Sequence, residues 1–320
     1  MSCHGSKWFS SCLAAVSCVL TGSLLAMAPM ARAAIIVNDS WADGGRNNGA
    51  DPLDTNWWSS TSNTNNSVEV SVGSMGMVTG SSGRGLHGVF PTQTLANVGD
   101  KLVATYTFTT PATIGSAQTG GFRVGLFDTL GRAGLNADIT SSSTQPSSLY
   151  GYFGTNDVGL PGYMMDMDVG TGAEDISFRQ LDTPVTASTP TGRLMGTTTG
   201  FTQFSPTGVD GGYTFAANTT STGSFTVTRI NATDMQITGT LGSYSHSNTD
   251  AFDSADIGMI AFWANSNVFG SASTIGTANN GIDFSNITIE FFPVPEPTAL
   301  TLLGMTALLL AFRTRRRDGA

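Results

Sequence analysis

Cysteine is missing from the central body of this chain, residues 34–297, and lysine is almost missing. The three cysteines all precede it, at Cys3, Cys12 and Cys18. A body without cysteine has no disulfide bond, no thiolate nucleophile and no zinc site built on cysteine. Its only lysine is Lys101, and no glycine-rich loop carries a lysine that would bind phosphate.

Charge is also scarce, since charged residues make up 12% of the 320 residues. Residues 34–297 contain 8 basic and 22 acidic residues, which gives this body a net charge of −14. Such a surface repels phosphate backbones and therefore argues against nucleic-acid binding. Hydrophobic residues nevertheless reach 40%, enough for a sizeable core, so the chain is not a disordered acidic polymer.

Residues 1–33 have the pattern of a secretory signal peptide. Lys7 provides a positive start, residues 13–28 form an apolar segment, and Ala31 and Ala33 frame a small-residue cleavage site. The pattern predicts that the mature chain begins near Ala34. An N-terminal membrane anchor is the alternative.

Residues 293–320 contain three features in a fixed order. The motif Pro295-Glu296-Pro297 is followed by an apolar run over 298–312 and then by a cluster of arginines. The prolines end the preceding strand, and the apolar run predicts a single transmembrane helix whose N-terminus lies outside the cytoplasm. At 1.5 Å per residue this helix spans about 22 Å, so snorkelling arginines or local thinning must complete the crossing. The cytoplasmic arginines are Arg313, Arg315, Arg316 and Arg317.

This tail resembles the PEP-CTERM sorting signal of exopolysaccharide-producing Gram-negative bacteria. The resemblance is carried by Val294-Pro295-Glu296-Pro297, the apolar run and the arginine cluster. It implies that an exosortase-type peptidase of the inner membrane recognises the motif and processes the tail. The protein would be anchored transiently in the inner membrane and then move to the cell surface or extracellular matrix. A plain C-terminal tail anchor is the alternative.

Between these ends, residues 34–292 alternate apolar and polar side chains in short runs separated by turn residues. No segment has an apolar stripe of helical period and length, so we predict an all-β domain, a β-sandwich of jelly-roll type. The residues expected to face its core are Leu102, Ala104, Tyr106, Phe108, Phe122, Val124, Leu126, Phe225, Val227, Met235, Ile237, Leu241, Ile287, Ile289 and Phe291.

Three further segments have distinct patterns. The turn at residues 231–234 predicts a hairpin, and the apolar run 258–264 predicts a central strand buried on both faces. Residues 192–212 and 266–281 are expected to be long loops or linkers. Residues 38–46, 52–58 and 282–290 resemble bodies found on PEP-CTERM proteins that are similar to concanavalin A-like, or lectin-like, sandwiches. That resemblance implies pairing of the first and last strands.

An acidic strand over residues 162–170 is the first candidate site. Alternation directs Asp166 and Asp168 away from the core, and the next strand could place Arg179 or Ser177 beside them. The two aspartates, with Glu174 or Asp175, could bind Ca²⁺ through oxygen ligands or hydrogen-bond to sugar hydroxyls. A solvated strand face in which Arg179 neutralises the aspartates is the alternative.

The second candidate is the pair Trp57-Trp58. Adjacent residues of a strand point to opposite faces, so one indole could pack in the core while the other stacks on a sugar ring. Trp263 is a similar candidate. Packing of all three tryptophans in the core or at a sheet edge is the alternative.

Catalytic signatures are missing from the body. There is no G-x-S-x-G elbow, and we expect His87 and His246 to lie in solvated loops. Glycoside hydrolysis needs two carboxylates about 5–10 Å apart, whereas Glu69, Glu174 and Glu290 are isolated along the chain.

These patterns favour an exported, non-catalytic surface or matrix protein whose sandwich binds carbohydrate of an extracellular polysaccharide, with Ca²⁺ as a candidate cofactor. A polysaccharide-active hydrolase or lyase on the same scaffold and a purely structural surface protein are the alternatives. No catalytic residue is assigned.

Overall fold

The computed structural model describes residues 32–47, 53–59, 68–79, 83–115, 118–131, 138, 160–169, 174–181, 195–196, 201–204, 209–252, 254–270 and 279–294. Within these ranges the regular structure is entirely β, and none of it is a helix long and apolar enough to cross a membrane. Residues 33–292 form one compact unit. Ala31, the Pro295-Glu296-Pro297 motif, the apolar run and the arginine cluster lie outside the described residues.

Sixteen strands are described. The first eight are β1 (Ala34–Asp39), β2 (Trp57–Ser59), β3 (Val68–Ser71), β4 (Ser74–Val78), β5 (Arg84–Thr94), β6 (Lys101–Thr109), β7 (Gln118–Phe127) and β8 (Gly162–Val169). The other eight are β9 (Glu174–Leu181), β10 (Phe201–Gln203), β11 (Val209–Tyr213), β12 (Thr220–Arg229), β13 (Asp234–Leu241), β14 (Tyr244–Ala251), β15 (Asp256–Ala264) and β16 (Gly281–Phe292).

The strands form two antiparallel sheets. The first sheet has the order β14-β13-β12-β6-β16-β4-β3, and β1 also pairs with β16. The second has the order β10-β9-β8-β7-β15-β5-β2, and β11 also pairs with β9. The two sheets share one apolar cluster to which both contribute alternate residues, which confirms the prediction of a two-sheet β-sandwich.

Alternation of side chains explains why these segments form strands with one face in the interior. In β6, Leu102, Ala104, Tyr106 and Phe108 are all fully buried, and the residues between them are half-exposed. The same holds for Phe225 and Val227 of β12. The interior face predicted from the sequence is therefore confirmed in these strands.

Two predictions of local structure are confirmed, and a third is wrong. Residues 231–234 turn the chain between β12 and β13, and β15 is a central strand buried on both faces, between β7 and β5. The expected loop over residues 192–212 instead contains β10 and most of β11, which extend the second sheet beside β9. The sequence did not predict these two strands because they are short and polar. Hydrogen bonds to their partner strand hold them in the sheet.

The first and last strands pair, as the resemblance to lectin-like sandwiches implied. In the antiparallel register of β1 and β16, Val37 lies opposite Ile289 and Asp39 opposite Ile287. The residues that begin the body therefore lie next to those that precede the Pro295-Glu296-Pro297 motif in sequence.

Candidate functional site

The outer face of the second sheet, opposite the sandwich interior, is where most of the predicted site residues lie. Cross-strand register places them in two neighbouring rows, one from β2 to β9 and the other from β15 to β9. One row contains Trp58, His87, Ala261, Gly125, Met164 and Arg179, and the next contains Trp263, Arg123, Asp166 and Ser177.

Asp166 is the centre of a charged network on this face. Its Oδ1 accepts a hydrogen bond of 2.7 Å from Arg123 Nε on β7, and its Oδ2 accepts one of 3.0 Å from Arg179 Nε on β9. The Asp166 side chain is 4% exposed and that of Arg179 is 17% exposed. Because each oxygen already accepts from a guanidinium group, the carboxylate is compensated despite its burial.

Other parts of the chain lie against the middle of this face. Arg123 Nη1 also donates to the carbonyl oxygen of Met195, a residue that follows β9 in sequence and is fully buried. A Cβ atom at Gly125 would lie 2.7 Å from the Met195 sulfur and closer still to the Phe127 ring. The missing side chain of Gly125 therefore makes the room in which Met195 packs.

The predicted orientation of the acidic strand is confirmed. Met165 and Met167 pack in the sandwich interior, whereas Met164 belongs to the cluster on the outer face. Arg179 does lie beside Asp166, as the sequence predicted, and Asp168 is half-buried further along the same strand.

These contacts bear on the calcium hypothesis. A calcium ion at Asp166 would have to displace two guanidinium groups, which disfavours a site there. Among the described residues, no three acidic, histidine or cysteine side chains are grouped so that they could hold a metal ion. The side chains of Glu174 and Asp175 lie outside the described part of the chain.

The two adjacent tryptophans point to opposite faces, as predicted. Trp57 is fully buried in the interior, and its indole Nε1 donates a hydrogen bond of 2.7 Å to Asp39 Oδ2. Asp39 also accepts a 3.0 Å bond from the Trp41 amide at its other oxygen. Burial raises the pKa of Asp39, and these hydrogen bonds oppose that rise. Trp57 is therefore a core residue that orients the strand.

Trp58 is half-buried on the outer face at the edge strand β2. The Arg46 guanidinium carbon lies 5.7 Å from the centre of its indole ring, within the range of a cation–π contact. Arg46 donates two hydrogen bonds to Asp138, of 2.8 and 2.6 Å, and the Ser59 amide donates a third of 2.8 Å. An aromatic ring thus lies next to a bidentate ion pair.

Trp263 does not present a free ring. It is 1% exposed, and its indole nitrogen donates a 2.9 Å hydrogen bond to Asn265. It packs in the apolar cluster of the outer face with Phe127, Met164 and Met195. The alternative interpretation, that this tryptophan is a packing residue, is the one that the structure supports.

Both histidines lie in strands, so the expectation of solvated loops is wrong. His87 is fully buried in β5, and burial lowers its pKa to about 3, with Asp138 opposing the shift. His246 belongs to β14, and its ring stacks on Phe178 with centroids 5.2 Å apart. The glycines and serines that suggested loops instead pair within the sheets.

Two carboxylates lie close together on the outer face of the first sheet. Glu69 of β3 and Asp283 of β16 flank Gly76 of β4, and each has a carboxylate oxygen within 3 Å of where a Gly76 Cβ would be. Asn280 donates to both Glu69 oxygens, at 3.2 and 3.3 Å. Although Asp283 retains exposure, partial desolvation and the charge of Glu69 raise its pKa.

Sequence reasoning missed several members of these networks. Arg46, Arg123 and Asp138 carry no local motif, because each partner lies on a different strand or loop. Glu69 was interpreted as isolated, although the sheet brings it beside Asp283. The one available signal was alternation, which places Arg123 on the same face as Asp166 once β7 and β8 are neighbours.

No protein family model and no curated protein matches this chain. Among solved structures, the metal-free carbohydrate recognition domain of Emp46p matches with a TM-score of 0.43 and 10% identity, over 73% of this chain and 87% of that chain. The carbohydrate recognition domain of Emp47p matches with a TM-score of 0.42 and 12% identity, over 81% and 95%.

Alginate lyase Aly36B, bound to an alginate trisaccharide, has a TM-score of 0.39 and 9% identity, over 81% of this chain and 98% of that chain. At these scores and identities the matches assign neither a family nor a ligand to this chain.

Removing the Asp166 carboxylate should destabilise the domain. Asp166→Asn leaves Arg123 and Arg179 without their shared counter-charge in a buried setting, which costs about 3–5 kcal/mol. Urea unfolding followed by tryptophan fluorescence measures the loss. Asp168→Asn, on the same face but half-buried, is the matched control and should cost far less. Equal losses in the two variants would contradict a central role for Asp166.

Burial of neutral His87 should make the domain less stable in mild acid. The unfolded chain binds a proton at a pKa of 6.5 and the folded chain only at about 3, so stability is complete above pH 6.5 and declines as the pH falls towards 3. The slope of the unfolding free energy against pH approaches about 1.4 kcal/mol per pH unit. We expect His87→Gln to flatten this dependence in urea unfolding between pH 7.5 and 4.5. Leu86→Val, at the neighbouring buried position of β5, removes no titrating group and should keep the wild-type slope, and a matching change in both variants would refute the assignment.

Proposed function

We propose that this protein is exported and displayed at the cell surface or in the extracellular matrix of a Gram-negative bacterium. The signal peptide pattern before Ala34 supports entry into the export pathway. The ordered tail supports a transient inner-membrane anchor and processing at Pro295-Glu296-Pro297 by an exosortase-type peptidase. Most of both segments, including the Pro295-Glu296-Pro297 motif, lies outside the described residues, so the sequence alone supports this part of the proposal.

The body is proposed to be a non-catalytic, concanavalin A-like sandwich that binds carbohydrate at the β2 edge of the second sheet. The observation that carries this is the arrangement of Trp58, Arg46 and Asp138. A half-buried indole can stack on the apolar face of a sugar ring, and the charged groups beside it can bond to ring hydroxyls. Trp57, held by Asp39, keeps β2 in place beneath it.

The same geometry argues against catalysis on this face. Both oxygens of Asp166 are occupied by arginines and both oxygens of Asp138 by Arg46, so neither aspartate presents a free carboxylate to a glycosidic bond. A saccharide at this face would therefore contact an aromatic ring and ion-paired side chains.

A polysaccharide-active enzyme is the second candidate, because one carboxylate pair does face across a short gap. Glu69 and Asp283 flank Gly76, and burial together with the charge of Glu69 raises the pKa of Asp283, as acid catalysis by a carboxyl group requires. This pair lies on the opposite sheet from Trp58, so the two functions make different predictions for the same substitutions.

Processing of the tail should depend on the Pro-Glu-Pro motif. In a host that carries an exosortase, Glu296→Ala should keep the full-length chain in the membrane fraction, whereas the wild type should be shortened and released. Gel mobility and mass spectrometry of the purified chain distinguish these states. Glu290→Gln in β16 is the control that should be processed normally. Normal processing of the Glu296→Ala chain would refute the sorting proposal.

Saccharide binding should depend on Trp58. On an array of short oligosaccharides, we expect Trp58→Ala to weaken binding about tenfold, since loss of an aromatic stacking partner costs about 1 kcal/mol or more. Trp263→Phe, in the buried part of the same face, is the control and should bind as the wild type does.

The same oligosaccharides should be incubated with the protein to measure cleavage. If the wild type cleaves an oligosaccharide and both Glu69→Gln and Asp283→Asn do not, the protein is an enzyme and not a binding module. Unchanged binding by the Trp58→Ala variant would refute the site on β2.

A further inference from the structure

Most outward side chains on five adjacent strands of the first sheet carry a hydroxyl group. Fourteen outward-facing residues on β6, β12, β13, β14 and β16 are threonine or serine, and each is half-exposed or exposed. We refer to these fourteen residues as the hydroxyl face. They are Thr105, Thr107, Thr109, Thr220, Thr222, Ser224, Thr226, Thr228, Thr238, Thr240, Ser245, Ser247, Thr249 and Thr288.

The hydroxyl face is uncharged within a strongly acidic body. Lys101, Glu290 and Asp234 lie towards one end of it and Asp283 at the other, and the described outward positions between them carry no ionisable group. Elsewhere the net charge of −14 over residues 34–297 repels polyanions. A partner of this face must therefore be recognised through neutral hydrogen bonds, because the face offers no counter-charge.

Pairing across the strands holds many of these hydroxyls in place. Thr107 and Thr222 lie 2.9 Å apart between their Oγ1 atoms, and Thr109 and Thr220 lie 2.8 Å apart. Ser224 with Thr240 and Thr238 with Ser247 form two further pairs, at 2.8 and 2.9 Å. Threonine has a restricted χ1 angle, so a paired threonine loses little conformational entropy when a ligand binds.

Each pair retains hydrogen-bonding capacity towards solvent. In the pairs Thr107–Thr222 and Thr109–Thr220 one hydroxyl hydrogen lies between the two oxygens, which leaves the second hydrogen and further lone pairs available. Such a pair both donates and accepts, as a sugar hydroxyl does. Sugar hydroxyls are therefore complementary to this face, whereas an ion is not.

The extent of the face favours a polymer over a small sugar. Neighbouring strands are about 4.8 Å apart, so five strands span roughly 19 Å, and outward residues repeat about every 6.8 Å along each strand. A single hydroxyl contact exchanges with water at little net gain, but a chain that makes many such contacts at once binds through avidity.

We propose that the hydroxyl face is a docking surface for a neutral, extended polysaccharide. This surface is separate from the Trp58 site, which lies on the other sheet, and it does not depend on that site. The two surfaces would allow one molecule to contact an oligosaccharide at β2 while the opposite face lies along a neutral polymer chain.

The test compares two quadruple variants of the full chain, purified and incubated with an insoluble neutral glucan. Thr→Val at positions 107, 109, 220 and 222 removes four hydroxyls while keeping the side-chain shape and a strand-forming residue. We expect the fraction bound to the glucan to fall at least about tenfold through lost avidity. Thr→Ser at the same four positions keeps the hydroxyls and should retain binding. Thermal unfolding of both variants reports whether they are folded.

Three results from the wild type and the Val variant would overturn the proposal. They are undiminished binding by the Val variant, binding of the wild type to the polyanion alginate but not to the neutral glucan, and no binding of the wild type to either polymer. Trp58→Ala separates this proposal from the β2 site, because it should leave glucan binding intact. If Trp58→Ala alone abolishes glucan binding, the hydroxyl face is not the docking surface.

Discussion

Burial of a single aromatic-rich interior between the two sheets is the constraint on which the rest of the structure depends. The ring centroids of Phe262 on β15 and Phe284 on β16 lie 4.7 Å apart across the sandwich, and those of Tyr106 and Phe262 lie 5.6 Å apart. Residues 34–297 contain no cysteine, so no disulfide bond supplements this packing. Apolar burial must therefore provide most of the stabilisation, and every central strand must direct alternate residues inwards.

That alternation leaves two outer faces whose chemistry differs because their surroundings differ. On the second sheet, Met195 and Asp138 lie against the face, and charges such as Asp166 are stable there only with partners. The outer face of the first sheet keeps its side chains exposed or half-exposed, and its neutral hydroxyls bond to one another and to solvent. The middle of one face is thus a buried ion network, and the other face is an open surface.

Local sequence was sufficient for features that depend on neighbouring residues. Alternation correctly separated Trp57 from Trp58 and oriented Asp166 outwards, and the short connection between β8 and β9 was enough to place Arg179 beside it. It was insufficient for partners distant in the chain. Arg123 is 43 residues from Asp166, and Arg46 is 92 residues from Asp138. Their meeting depends on strand order, which alternation does not specify.

The amino-acid sequence by itself determined which residues face inwards, because strand geometry has a period of two whatever the neighbouring strand is. The proposed export and sorting signals also rest on the sequence alone, because each is a contiguous motif. Only the tertiary structure decided that His87 is buried, that Glu69 faces Asp283 across Gly76, and that five strands align their hydroxyls on one surface. These features arise from the register between strands far apart in the chain, which the packing of the whole interior selects.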